Sequence, residues 1–457
     1  MPTTIGLASL GCSKNLVDSE VMLGLLTQAG YEVTHDYRDA DVIIVNTCAF
    51  IGPAKEESIN TILELAKFKE DGRCAALVVT GCLAQRYSKD LVAELPEVDA
   101  VIGVDQYPHI VSVLERLPGR PGAALRAVER RPLPTDYSFP RVVTTPPHSV
   151  YLKIAEGCDR RCTFCIIPAI RGRQRSRTIE SIIAEARQLA EQGAKELNLI
   201  SQDTTWYGKD LPEPADLPAL LRALNQVDGI RWIRPLYNHP VRFTDDLIDT
   251  IAQLDHVCNY IDMPLQHITD RMLTAMNRET TRRETVRLIG RMRASIHGLA
   301  LRTTFIVGFP GETDEDFEEL YDFVAETRFD RLGVFPYSPE EGTPAVRYPD
   351  QVPDDVTQER RARLMELQRE ISLARNQAYV GRSVEVLVDE VNPTDGTAVG
   401  RTEADAPEVD NEVLLTGAGL TPGDFVRATI IDALEYDLVG RVEKRLNQVQ
   451  VEVKVEK

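Results

Sequence analysis

Apolar runs of four to six residues alternate along this chain with longer stretches in which apolar positions recur every three or four residues. The short runs predict strands and the periodic stretches predict helices. Over residues 1–118 the strands are Ile5–Leu10, Val42–Val45, Ala75–Thr80 and a short Val101–Gly103. Helices are expected from about Ser19 to Ala29, closed by Gly30, and from about Ala54 to Lys69. Such alternation predicts a parallel sheet with helices on its faces.

Residues 119–148 break the rhythm. Pro118, Pro121, Pro132, Pro134, Pro140, Pro146 and Pro147 mark this stretch as a linker. The rhythm resumes over 149–380, with strands expected at Ser149–Ile154, Glu196–Ser201, Trp232–Leu236, Tyr260–Met263, Arg302–Val307 and Arg331–Phe335. Helices fall at Ile179–Glu191, Leu217–Gln226, Asp245–Leu254, Arg283–Ser295 and Asp314–Thr327. Six strand–helix units predict a partial or full β/α barrel, a fold whose chemistry sits at the carboxyl ends of its strands. A charged helix, Pro353–Tyr379, leads into 381–457, where short runs at Ser383–Val388, Glu412–Leu415, Phe425–Ile431 and Leu438–Val442 predict a small antiparallel β-barrel.

At 457 residues the chain has room for about three domains, and 43% hydrophobic with 27% charged residues is ordinary for a soluble globular protein. No apolar run is long enough to cross a bilayer and the start lacks a secretory pattern, so a cytoplasmic, non-membrane protein is expected. Net charge is 52 − 71 = −19. The tail 381–457 alone carries 8 basic and 16 acidic residues, 8 − 16 = −8. A phosphate backbone rewards Lys and Arg, so nucleic acid is not expected as the main ligand, whereas a basic protein partner suits this charge.

Eight cysteines in such a protein point to metal or redox chemistry rather than disulfides. Cys158, Cys162 and Cys165 lie in the run Gly157-Cys-Asp-Arg-Arg-Cys-Thr-Phe-Cys165 just beyond the first core strand. A closed zinc site or an ordinary ferredoxin run wants four ligands. Three thiolates from one loop suit a four-iron cluster with one iron left open. Cys12, Cys48 and Cys82 are scattered in sequence, yet each follows a predicted strand, so a parallel sheet would bring them to one edge. They are read as ligands of a second cluster with an open iron, the alternatives being buried free thiols or a zinc site lacking a fourth ligand. Cys74 and Cys258 lack such placement and are expected to be structural.

The loop Gly157–Cys165 resembles the cluster loop of radical S-adenosylmethionine enzymes, and the whole chain, with its second cysteine set and a TRAM-type tail, resembles the methylthiotransferase family. Ser9–Glu20, Asn46–Ile51, Ala54–Ser58 and Ile200–Gly208 resemble the branch that modifies an aspartate of the small-subunit ribosomal protein S-twelve. Ser13 stands where many relatives carry proline.

The resemblance implies two [4Fe-4S] clusters, Cys158, Cys162 and Cys165 holding the one that cleaves S-adenosylmethionine and Cys12, Cys48 and Cys82 holding the auxiliary one that delivers sulfur. The cleavage would yield a carbon radical able to take hydrogen from the aspartate β-carbon, with the protein orienting and shielding the cofactors. No side chain is assigned as an acid or base. Candidate S-adenosylmethionine contacts are Phe164, Gln202, Asp203, Asp262, Gln266 and Gly308, each with a structural alternative such as packing, loop hydrogen bonding or a tight turn. Arg171, Arg173, Arg175 and Arg177 form a basic run in which one member could clamp a carboxylate. Lys14 and Glu20 are read as helix-start chemistry. An electron-donor protein is expected and a monomer suffices. The competing readings are a methylthiotransferase acting on transfer RNA adenosine and a non-enzymatic iron–sulfur scaffold or sensor.

Overall fold

The computed structural model describes residues 3–117, 124–130, 134–135 and 138–446. An N-terminal parallel sheet, a β/α core and a closed C-terminal barrel follow one another, as the apolar pattern predicts.

The N-terminal sheet runs in the order Glu32–Val33, Thr4–Ser9, Val42–Thr47, Ala76–Gly81, Ala100–Ile102, Leu125–Ala127, with every pairing parallel. Val42–Thr47 and Ala76–Gly81 are buried at every position. Alternate residues feed a core on each face: Ile43, Val45, Leu77 and Val79 on one, Ile5, Ile44 and Val78 on the other.

Leu125–Ala127 belongs to the stretch read from its prolines as a linker, which therefore lends the sheet an edge strand. Pro118, Pro121 and Pro132 lie outside the described residues. Further along the same stretch, Arg141 Nε donates to Glu20 Oε2 (2.8 Å) and the Thr144 amide to Glu20 Oε1 (2.7 Å). This segment is a strap laid on the first helix. Proline forbids a helix interior, but it tolerates an extended segment whose carbonyls and side chains do the bonding.

The first helix, Ser13–Gln28, starts six residues before the expected Ser19. Its first turn carries no apolar stripe, because polar residues are what it buries: Lys14, Asn15, Asp18, Ser19 and Glu20 are all inaccessible. From Lys14 to Leu26 it lies between the N-terminal sheet and the core, and only its last residues, Thr27 and Gln28, are exposed. The Cys48 amide donates to Ser58 Oγ (3.0 Å), tying the next helix, Gly52–Ala66, to its strand.

In the core, Ser149–Lys153, Glu196–Ile200 and Trp232–Pro235 form one parallel sheet, and Tyr260–Asp262, Ala300–Val307 and Arg331–Pro336 a second. A single bridge, Ile233 to Val257, links the two. The first and last strands do not pair with each other, which makes this a partial barrel. Outward residues such as Leu152, Leu199, Ile233, Ile261 and Phe305 pack under the helices. Inward Tyr151, Trp232 and Tyr260 instead meet Val17 of the first helix and Leu387, Ala406 and Phe425 of the tail.

The tail closes a five-stranded ring, Ser383–Val391, Ala398–Arg401, Val413–Thr416, Leu438–Arg445, Phe425–Ala433. Ala398–Arg401 was not visible as an apolar run. The barrel is not wholly antiparallel, since Val413–Thr416 and Leu438–Arg445 run parallel. Five is odd, and directions cannot alternate all the way around an odd ring. Arginines of the core take up acids of the tail: Arg302 meets Asp410 (3.1 Å), Arg231 meets Glu385 (2.6 Å) and Arg331 Nε meets Asp405 (2.9 Å). Tail Arg401 reciprocates with core Glu196 (2.8 Å). Part of the −8 charge is thus spent on docking rather than offered to a partner.

Candidate active site

Thr4–Ser9, Val42–Thr47 and Ala76–Gly81 are consecutive neighbours in the sheet, with Ser9 opposite Asn46 and Thr47 opposite Gly81. Their carboxyl ends are therefore level, and Cys12, Cys48 and Cys82 follow directly on them. Cys12 is exposed, while Cys48 and Cys82 are buried. Gly81 has φ +93°, and a Cβ there would stand 2.5 Å from the Thr47 carbonyl oxygen, so only glycine turns the chain into Cys82. Burial pushes the Cys82 thiol up to about 12 and raises that of Cys48; the cation opposing both is Arg171, from the core.

Asn15 organises this rim. Its Nδ2 donates to the carbonyls of Leu10 and Thr47 (both 2.9 Å), stapling two of the strand ends, and its Oδ1 lies 3.8 Å from Cys82 Sγ. Asn46 donates in turn to the Asn15 carbonyl (2.8 Å) and to Ser19 Oγ (2.9 Å).

The second cysteine set lines the loop between Ala155–Glu156 and the short helix Ile167–Arg171. Gly157 has φ +80°, and a Cβ would collide with the Arg173 carbonyl oxygen at 2.2 Å. Cys158 is buried, and Cys162 and Cys165 are half-buried. The Arg160 amide donates to Cys158 Sγ (3.4 Å), and Arg278 Nη1 donates to Cys162 Sγ (3.4 Å). Desolvation lifts the Cys158 and Cys165 thiols to about 12. Cys48, Cys82, Cys158 and Cys165 would not ionise readily without a cation or metal to hold the thiolate.

A buried polar junction joins the two sets. Arg171 donates to Glu156 (2.7 Å), to Asp18 (3.2 Å) and to Asn15 Oδ1. Lys153 pairs with Asp18 and with Glu156 (3.2 Å). Burial alone would raise the Glu156 carboxyl, but Arg171 and Lys153 outweigh it and hold the group well below the usual range. A second buried contact between core and sheet domain is made by Glu340, from the loop after the last core strand, which accepts from Lys55 (2.8 Å) and Arg86 (2.7 Å).

The other candidates divide. Gln202 sits at the junction, its Nε2 donating to Glu156 Oε1 (2.9 Å) while its Oε1 is buried without a partner. Asp203 accepts from Arg160 (2.8 Å) and Thr205 (2.6 Å), and so stands one side chain behind Cys158. Asp262 is consumed by Arg302 (2.8 Å) and the Tyr237 amide (2.9 Å). Gln266 adopts φ +75° and bridges to Phe305 through its backbone. The Gly308 amide donates to Glu312 (2.6 Å), and its turn rests against Thr357 of the long helix Asp354–Gln377. Phe164 packs on Met272, Met276, Phe309 and Ala345.

Four arginines in the basic run do four different things. Arg171 is the junction, Arg173 is exposed and pairs with Asp159, Arg175 reaches Asp105 (2.8 Å), and Arg177 is buried against Glu185 (2.5 Å). Asn15, Asp18, Lys153, Glu156, Arg160 and Arg278 were missed as site residues. No spacing marks them, although burial of a charged or amide residue beside a predicted ligand would have.

Among the described residues no three His, Cys, Asp or Glu side chains are drawn together as around a held metal ion. The donor set nevertheless fits a cluster with an open position: three soft thiols per site and no fourth. Around the core loop, Arg160 Nη2, Arg278 Nε, Gln202 Oε1 and His239 Nε2 are buried without partners, which suits a ligand bearing both acceptors and donors.

A partial parallel β/α barrel with a three-cysteine loop beyond its first strand defines a radical S-adenosylmethionine enzyme, and residues 152–324 match the Radical SAM superfamily. Residues 4–103 match the "Uncharacterized protein family UPF0004" and 380–442 the TRAM domain. The chain belongs to the family of ribosomal protein uS12 methylthiotransferases called RimO. One member, from Pelotomaculum thermopropionicum, is 52% identical over 450 residues, covering 96% of this chain and 99% of the relative. Another, from Desulforamulus reducens, is 51% identical, covering 97% and 100%. Among solved structures, the radical S-adenosylmethionine methyltransferase TsrM from Kitasatospora setae shares the fold with a TM-score of 0.54 at 16% identity, covering 73% of each chain. The likeness to the cobalamin-dependent enzyme OxsB is similar, with a TM-score of 0.51 at 13% identity over 80% of this chain and 56% of the other.

Proposed function

We propose that this chain adds a methylthio group to the β-carbon of an aspartate in ribosomal protein uS12. In this reading Cys158, Cys162 and Cys165 hold a [4Fe-4S] cluster with S-adenosylmethionine, and Cys12, Cys48 and Cys82 hold a second one. The observation that carries the reading is the joining of two three-cysteine sites through a buried junction, Asn15–Arg171–Glu156–Gln202. One cluster would suffice for hydrogen abstraction alone. When bound, the clusters and S-adenosylmethionine supply the radical and sulfur chemistry.

The protein's own work is to position and to exclude water. Arg160 and Arg278, each donating to a cysteine sulfur and each with an unpaired buried N–H, stand ready to receive the carboxylate or hydroxyl oxygens of the cofactor. Gln202 offers a buried acceptor for its amine. Asp203 holds Arg160 from behind through an ion pair, while Phe164, Asp262, Gln266 and Gly308 serve packing, ion pairs and turns elsewhere in the core. Among the described residues no helix is long and apolar enough to cross a membrane. The setting proposed is a cytoplasmic monomer reduced by an electron-donor protein.

Anaerobic reconstitution should load about eight irons, from two four-iron clusters. Incubation with S-adenosylmethionine, sulfide, a reductant and uS12 should add about 46 Da to one aspartate, the methylthio-for-hydrogen increment expected if the cofactors carry this chemistry. The same increment on transfer RNA, or on neither substrate, would refute the reading.

A further inference from the structure

Arg171 belongs to the core, at the end of the helix that follows Cys165, yet it is 1% exposed and turned toward the N-terminal sheet. Its Nη2 donates to Asn15 Oδ1, the amide that staples the carbonyls behind Cys12 and Cys48 and lies 3.8 Å from Cys82 Sγ. Its Nη1 is shared between Asp18 (3.2 Å) and Glu156 (2.7 Å). The two carboxylates are also answered by Lys153, so the junction holds two cations against two anions and Arg171 is the cation turned to the thiols.

Resting on the two-cluster reading above, we infer that Arg171 is a positioning residue for the auxiliary site, supplied in trans by the core loop that carries the other cysteine set. Through Asn15 it holds two of the three strand ends level, and its charge lies beside the sulfur that the auxiliary cluster would take from Cys82. Apart from its own burial, the strongest influence on Arg171 is the Cys82 sulfur, ahead of Glu156 and Asp18. A buried cation next to a thiolate-bound cluster favours the more negative, reduced state, since surrounding charge and hydrogen bonds to sulfur set cluster potentials. The auxiliary site is therefore complete only when the N-terminal sheet is seated on the core.

The test uses the full chain with Cys158, Cys162 and Cys165 changed to Ala, so that only the first set can hold iron, and follows iron content and the midpoint of the one-electron reduction by electron paramagnetic resonance. Arg171→Met should move the midpoint to more negative potential by at least a tenfold change in the reduction equilibrium, which is ~59 mV for a one-electron couple. Arg171→Lys, which keeps the charge but not the fork, should recover most of that shift. An unmoved midpoint with full iron in Arg171→Met overturns the inference, as does a shift that Arg171→Lys leaves uncorrected. If Arg171→Met does not fold, Arg171→Gln removes the charge while keeping a donor; it should shift the midpoint in the same negative direction, and no shift overturns the inference. Failure of the parent to hold iron refutes the two-cluster reading itself, an outcome distinct from iron held at an unmoved midpoint.

Discussion

The two cysteine sets are built in opposite ways. Cys158, Cys162 and Cys165 come from one loop of eight residues, and a local turn at Gly157 is enough to aim them. Cys12, Cys48 and Cys82 are brought together only by three parallel strands in level register, and their rim is stapled by Asn15 and completed by an arginine from another part of the chain. The first site is a property of a loop. The second is a property of the assembled molecule, so perturbations far from its cysteines should reach it.

The sharpest way to break that comparison is to remove each set. Replacing Cys158, Cys162 and Cys165 by Ala should bring S-adenosylmethionine cleavage to background. Replacing Cys12, Cys48 and Cys82 should leave cleavage measurable by release of 5′-deoxyadenosine while abolishing sulfur insertion. Equal loss in both would mean that the sites do not divide the chemistry.

Next in size is the junction. Glu156→Leu leaves Arg171 and Lys153 with Asp18 alone, and breaking a buried pair in this way costs about 3–5 kcal/mol. Denaturant unfolding should show that loss, with the N-terminal sheet becoming sensitive to proteolysis first. Glu340→Leu removes the partner of Lys55 and Arg86 and should loosen the same seating. Iron binding at Cys12, Cys48 and Cys82 should suffer in both variants, and binding at Cys158, Cys162 and Cys165 much less.

A smaller effect separates the two turns. Gly157→Ala and Gly81→Ala each place a Cβ on a backbone carbonyl at positive φ, a strain of about 1–2 kcal/mol before the clash is counted. Gly157→Ala should weaken iron binding only at the core loop, and Gly81→Ala only at the N-terminal rim, as read by iron content in the single-cluster backgrounds.

The smallest effect is in pH. His267 is buried in the core, its pKa lowered to about 3 by burial with Arg271 and Arg360 adding to it. A depressed base stays neutral in the native state while the unfolded chain takes up a proton below about 6.5. Stability from this group is therefore full above about pH 6.5 and is lost as pH falls toward 3. Thermal melts of the apo chain should fall on acidification through that window, and His267→Gln should flatten the slope. His239, lowered by burial with Arg278 and Arg160 adding to it, acts in the same sense, so acid should loosen the core before the N-terminal rim.

Most of the architecture was legible because its signals are local. Ile179–Glu191 and Asp314–Thr327 match their helices residue for residue, and the six core strands fall within two residues of expectation. Thr178 and Thr313, accepting the amides of Ser181 and Asp316, show why those helices begin so sharply. Departures arise where burial is polar or pairing is distant. The first turn of Ser13–Gln28 has no apolar stripe because it buries Lys14, Asn15 and Asp18. Leu125–Ala127 is too short to announce itself and is a strand only because Ala100–Ile102 lies beside it. Asp262 and Gly308 ended at plausible strand termini, yet Arg302 and Thr357 occupy them, partners 40 and 49 residues away.

The six cysteines and the alternation that places each of them after a strand are determined by the sequence alone, since spacing and periodicity are properties of neighbours along the chain. What the tertiary structure decided is the joining of the two sites. The Asn15–Arg171–Glu156 junction depends on which buried charges face each other once water is excluded, and no pattern within either segment contains that choice.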